Sequence, residues 1–217
     1  MLDLMLYHLT LFCWSCNAAV KSFNIGGLFT ADSFFGSQEK AAFLMALDEI
    51  NNKFDGVHDE LLPSTHLYFA IKYTDGVYIN AIKDALVLTE EAFNGTGIQA
   101  CIGAALDVDS EAVAQIFNAY SLNQVSYAST ASTLSYATTY PGFFRTCTSE
   151  AAQSIAIADM IYKTFGWRKI SLFYTSDSYG SDGGYVFQSE AANLGLSILS
   201  NSIIQSCLLY TSPSPRD

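Results

Sequence analysis

From residue 22 onward, short apolar runs alternate with longer windows in which apolar positions recur three and four residues apart. The runs have the length and composition of strands, and the windows have the spacing of amphipathic helices. Ser22 to Thr30 predicts a first strand. Ser37 is placed to cap a helix on which Phe43, Ala46, Leu47 and Ile50 form one stripe. His66 to Thr74 predicts a second strand, followed by Asp75 as the cap of a helix with Ile82, Ala85, Leu86 and Thr89 on one face. Cys101 to Ala105 reads as a third strand. Asp109 or Ser110 then opens a helix marked by Val113, Ile116, Phe117 and Tyr120, and Gln124 to Ser129 reads as a fourth strand. This β-α-β-α-β-α-β series predicts an α/β fold with a largely parallel sheet.

A loop rich in Ser, Thr and Tyr, Ser129 to Tyr140, leads through Pro141-Gly142 to a short strand at Phe143 to Cys147. The rhythm then restarts. Ser149 caps a helix that runs to Phe165 and ends at Gly166, Lys169 to Thr175 is a strand, Asp182 to Leu194 a helix, and Leu196 to Ile204 a strand. Two alternating blocks joined near Thr146 to Glu150 predict two lobes with a hinge. The second is incomplete, since two strands and two helices do not close a domain.

The ends of the chain read differently. Leu4 to Trp14 is mostly apolar and is followed by Ser15-Cys16-Asn17-Ala18-Ala19, the pattern of a signal peptide spanning residues 1–18 and cut after Ala18. Residues 207–217 contain a Ser/Pro run that resembles translated adaptor sequence, so they are expected to be a non-native tail, with the natural protein continuing past Ser206. Between these ends, 19–146 is expected to form lobe 1 and 147–206 the first part of lobe 2.

Composition narrows the function classes. Of 217 residues, 50% are hydrophobic and 14% charged, which is a globular balance, and the length suits one domain and part of another. The net charge of −11, without a basic cluster, argues against nucleic acid as a partner. If the signal is removed, Cys101 and Cys147 remain in the globule. They lie on strand-like runs separated by the Gln124 to Ser129 strand, so both are expected to be free thiols. Asn94-Gly95-Thr96 is a glycosylation sequon in a turn, with Asn94 the acceptor.

Catalytic signatures are absent. There is no phosphate-binding G-x-x-x-x-G-K-[ST] loop, no G-x-S-x-G and no H-E-x-x-H, and once the signal with Cys13 and Cys16 is removed no C-x-x-C or Cys/His zinc spacing remains. His58 and His66 flank a loop with no nucleophile placed by sequence. The run Asp177 to Gly184 lacks the spacing of an EF-hand calcium loop and reads as a strand-to-helix turn. The chain is therefore expected to be neither an enzyme nor a carrier of a metal or cofactor. Three polar turns follow strand carboxyl ends, Asp107 to Ser110, Ser129 to Thr133 and Ser176 to Asp182. In open α/β sheets that is where small ligands bind, although Ser-rich turns also serve simply as caps.

Several segments, in order along the chain, carry a resemblance: Ala41 to Asn52, Leu61-Leu62-Pro63, Ser126 to Thr130 with Leu134-Ser135, Tyr140 to Thr146, Phe165-Gly166-Trp167 and Tyr179-Gly180. Together they resemble the receptor-family ligand-binding region. This is the type I periplasmic-binding-protein-like fold of class C G-protein-coupled receptors, natriuretic-peptide-type receptor guanylyl cyclases and the amino-terminal domains of ionotropic glutamate receptors. The resemblance implies a bilobed clamshell with doubly wound parallel sheets, here with an incomplete second lobe. It also implies an extracellular sensor of a membrane receptor that closes on a small polar ligand, and a homodimer through lobe 1. A soluble solute-binding protein of an amino-acid or amide uptake system shares the fold, as does a transcription-regulator core.

The site residues implied by the resemblance are Asp107, Ala128, Ser129, Thr130, Glu150 and Tyr179. The stretch Tyr127 to Thr130 matches the loop that holds an amino acid's α-carboxylate and α-amine in class C receptors. Glu150 replaces the usual Asp of the hinge turn and keeps a charge that could meet an amine, and Tyr179 matches the aromatic that covers the ligand from lobe 2. Asp107 stands where amino-acid-binding members have Ser, and its carboxylate would repel a ligand carboxylate. No Arg occurs in Ala31 to Ser37, where glutamate-selective members have one. An amine-bearing ligand is thus expected in preference to glutamate.

Overall fold

The computed structural model describes residues 21–31 and 34–205. The expected signal, the tail, Cys13, Cys16, Cys207 and His8 lie outside them. The strands fall into two separate sheets, both wholly parallel. In the first, β1 (Lys21–Thr30), β2 (Thr65–Thr74), β3 (Ala100–Ile102), β4 (Asn123–Ser126) and β5 (Phe143–Arg145) lie in the order β2-β1-β3-β4-β5. The second pairs β6 (Lys169–Thr175) with β7 (Ser197–Ile204), with an irregularity between Ile170 and Ser171 that leaves Leu199 unpaired.

Helices cover both faces of the first sheet, because neighbouring residues of β1 point to opposite sides. Leu28 packs under α2 (Tyr78–Leu86) and α3 (Asp107–Ala119), among Ala81, Ala85, Ala112, Val113 and Phe117. Phe29 packs on the other face against Phe43 and Leu47 of α1 (Phe34–Asn51). On the second sheet, α4 (Glu150–Asp159) and α5 (Ser178–Leu194) meet through Ala158, Phe187 and Ala191. Both α2 and α4 end in a five-residue π turn, Val87–Glu91 and Met160–Thr164. Among the described residues no helix is long and apolar enough to cross a membrane.

Several element ends differ from the pattern reading. Helix α1 already includes Ser37, and a helical residue cannot act as its own N-cap. Ala46 is exposed, so the buried stripe runs through Phe43 and Leu47 without it. Asp75 stands ahead of the cap position, which Val77 takes. Its carboxylate instead accepts from the Val77 N–H at 3.1 Å and the Asn80 side chain at 3.0 Å, making a local turn. Helix α3 starts at Asp107 rather than Asp109 or Ser110, and α5 starts at Ser178 because Asp177 caps it, accepting from the Gly180 N–H at 2.8 Å. Ser149 caps α4 as its sequence suggests. Strands β3, β4 and β5 stop two or three residues early, and the residues freed at their carboxyl ends build the site.

Cys101 is buried in β3 and Cys147 half-buried beyond β5, with β4 between them; both are free thiols.

Candidate functional site

The order β2-β1-β3-β4-β5 reverses direction at β1, so a crevice opens beyond the carboxyl ends of β1 and β3. A cavity of about 700 Å³ lies there. Its walls include Thr30 at the end of β1, Glu39 on α1, Asp107 at the start of α3, Ala128 and Thr130 after β4, and Asp177 and Tyr179 beyond β6. Residues from both blocks therefore share one cavity.

Its centre is the loop after β4. Asp107 is 8% exposed, and its Oδ1 accepts from the backbone N–H of Thr130 at 2.7 Å and of Ala131 at 3.0 Å. Burial pushes the Asp107 carboxyl above the usual carboxylate range, while those two N–H donors and the Arg145 charge pull it back down. Arg145 itself is engaged by the loop, donating to the carbonyls of Ser129 at 3.3 Å and Ala131 at 2.8 Å and to the Ser135 hydroxyl.

The Thr130 hydroxyl donates to Glu150 Oε1 at 3.0 Å, and the Glu150 N–H donates to the Thr130 carbonyl at 2.8 Å. Glu150 is 3% exposed and its Oε2 has no hydrogen-bond partner. Desolvation, with Asp107, Asp182 and Asp177 nearby, drives its pKa up to about 7, against the opposing Thr130 bond. Two more contacts tie the loop to the second block: Ser132 N–H to Asp182 Oδ2 at 2.5 Å and Ala151 N–H to the Ser132 hydroxyl at 3.1 Å.

Tyr179 is 57% exposed at the cavity's far wall, and Ala128 lines the near one. Ser129 is turned the other way. Its hydroxyl, 1% exposed, reaches the Ala104 and Ala105 carbonyls at 3.3 and 3.1 Å and the Ser110 hydroxyl at 2.6 Å. It builds the floor and does not reach the cavity. The Ser110 and Ser126 hydroxyls converge on the same Ala104 carbonyl, at 3.1 and 2.7 Å. Asn94 is exposed on a left-handed turn, φ 57°.

The pattern reading missed Glu39. Its carboxylate accepts from the Thr30 N–H at 3.0 Å and lies 2.9 Å from the Tyr127 hydroxyl. An acidic residue in the first turns of a helix is common, and only the fold reveals that this one faces a cavity. Burial and the Glu39 charge both push the Tyr127 phenol well above its ordinary range. Among the described residues no group of three or more His, Cys, Asp or Glu side chains is arranged to hold a metal ion.

Known proteins match the sequence along most of the chain. Human taste receptor type 1 member 3 is 30% identical over 175 residues, covering 75% of this chain and 20% of the relative, and the gorilla protein of the same name matches equally. Mouse metabotropic glutamate receptor 6 is 27% identical over 191 residues, covering 77% of this chain and 21% of the relative. The chain thus spans about a fifth of the length of these curated relatives. Residues 38–214 match the family described as receptor family ligand binding region, and with that match covering most of the sequence on a parallel α/β fold, the chain belongs to that family.

Proposed function

We propose that the chain is part of the extracellular sensor of a membrane receptor, and that it binds a small amine-bearing ligand between two lobes, 19–146 and 147–206, hinged near Thr146 to Glu150. The observation that carries this reading is Glu150, a buried carboxylate with one oxygen unpartnered, bonded to Thr130 across the junction of the two blocks beside a cavity both blocks line. A buried carboxylate with a free oxygen is a costly arrangement that a bound ammonium group relieves. Thr130, Ala128 and Asp107 would form the lobe 1 wall, with Ser129 behind them, and Tyr179 would cover the ligand from lobe 2. A ligand that touches both blocks favours the closed arrangement, which is how binding would become a signal. The relatives' names, all receptors, favour this over a soluble solute-binding protein. A homodimer through lobe 1 and a glycan on Asn94 belong to the same reading.

The test is calorimetric titration of the chain with phenethylamine and cadaverine. Glu150→Gln is expected to weaken the amine at least tenfold more than Thr130→Ala does. Removing one partner of a desolvated charge pair costs ~2–5 kcal/mol, against ~1–3 kcal/mol for an unsatisfied hydrogen bond. Amine binding that ignores both substitutions would put the ligand elsewhere.

A further inference from the structure

Resting on the cleft reading above, we propose that the site is built for a protonated amine that carries no acidic group, because the place a ligand carboxylate would occupy is filled by the chain's own Asp107. The two backbone N–H groups that converge at this point, those of Thr130 and Ala131, both donate to Asp107 Oδ1, at 2.7 and 3.0 Å. Adjacent backbone N–H groups directed at one point are an anion seat, and a side-chain carboxylate held there at short distance leaves a ligand anion neither of these two donors.

The remaining charges point the same way. Among the described residues the cavity wall carries Glu39, Asp107 and Asp177 and no Lys, Arg or His. The nearest described guanidinium, Arg145, does not line the cavity and spends its N–H groups on the Ser129 and Ala131 carbonyls. Glu150 lines an adjoining cavity of about 550 Å³ that shares Gln153 and Tyr179 with the first, and its unpartnered oxygen is a strong acceptor left without a donor. An α-amino acid brings an ammonium group that suits Glu150 and a carboxylate that meets the like charges of Glu39, Asp107 and Asp177. The decarboxylated counterpart keeps the first and loses the second. Two aromatic side chains on the cavity wall, Phe35 and Tyr179, offer faces to an organic cation.

Matched pairs test this directly: phenethylamine against phenylalanine and cadaverine against lysine, titrated calorimetrically into the chain. Each amine is expected to bind at least tenfold tighter than its amino acid. Asp107→Ser, which empties the seat and frees both N–H groups, is expected to lower that ratio at least tenfold by admitting the amino acid. A wild-type chain that binds either amino acid as tightly as its amine overturns the proposal, as does an unchanged ratio in Asp107→Ser. If Asp107→Ser does not melt cooperatively, the wild-type ratios decide alone. Failure of all four compounds to bind the wild-type chain would instead overturn the cleft reading itself, and this inference with it.

Discussion

Glu150→Gln is expected to melt at a higher temperature than the parent chain at pH 8 and at the same temperature at pH 4. The Glu150 carboxyl is held at about 7 in the folded chain, above the 4.5 of an unperturbed glutamate. Between those values the folded state holds a proton that the unfolded state has released. Stability therefore falls as pH rises through this window, by up to ~1.4 kcal/mol per pH unit for one proton, and stays lowered above it. Glutamine keeps an acceptor for the Thr130 hydroxyl and cannot ionise, so it escapes the loss. Asp107, Asp109 and Asp84 are also pushed up by burial and add slopes of the same sign, but they are present in both chains and cancel in the comparison. The same proton governs binding. A cation favours the ionised carboxylate, so amine affinity should fall up to tenfold per unit as pH drops below about 7, and should be flat in the variant. Urea titrations at pH 4, 6 and 8 check the first half; a variant less stable than the parent at pH 8 would show that Glu150 is ionised and stabilising in the fold.

Gly97→Ala should lose on the order of 3 kcal/mol or more, a large share of the ~5–15 kcal/mol that holds a domain together. Gly97 has φ +68°, and a Cβ there would lie 2.1 Å from the Thr89 carbonyl oxygen. That neighbour is backbone, so no rotamer change relieves it. The segment cannot easily shift either. The Gly97 N–H donates to the Ala92 carbonyl at 2.9 Å, its carbonyl accepts from the buried Asn24 side chain at 3.1 Å, and Ile98 beside it packs with Leu88 in the core. The check is the urea midpoint of the variant; a loss under ~1 kcal/mol would mean that residues 92–98 rearrange.

The sequence made the succession of elements readable because each strand and helix carries its own period, and β6, Lys169–Thr175, falls where its pattern predicts. Element ends were less readable. Ser37 and Asp75 have the chemistry of caps, yet a cap is defined by where the backbone leaves the helix, which packing decides. Of the site, Asp107, Ala128, Thr130, Glu150 and Tyr179 could be named from the resemblance, and all five line the two adjoining cavities. What could not be read was direction. Ser129 and Thr130 are neighbours with similar side chains, but one hydroxyl is turned into the floor and the other toward Glu150. Glu39 was equally hidden, since its partners Thr30 and Tyr127 lie 9 and 88 residues away and meet it only in the folded sheet.

The three serine hydroxyls gathered on the Ala104 carbonyl have a thermodynamic consequence. Each is at most 1% exposed, and each is held by hydrogen bonds to that oxygen, to the Ala105 carbonyl or to its serine neighbour. Such a knot has lost its rotational freedom before any ligand arrives, so that loss belongs to folding and not to association. In the proposed cleft the ordering entropy of binding would then fall on the opposite wall, where Tyr179 is more than half exposed. The proposed cleft is in this sense asymmetric: a rigid anvil on one side, and on the other a solvent-exposed aromatic that a ligand would have to order.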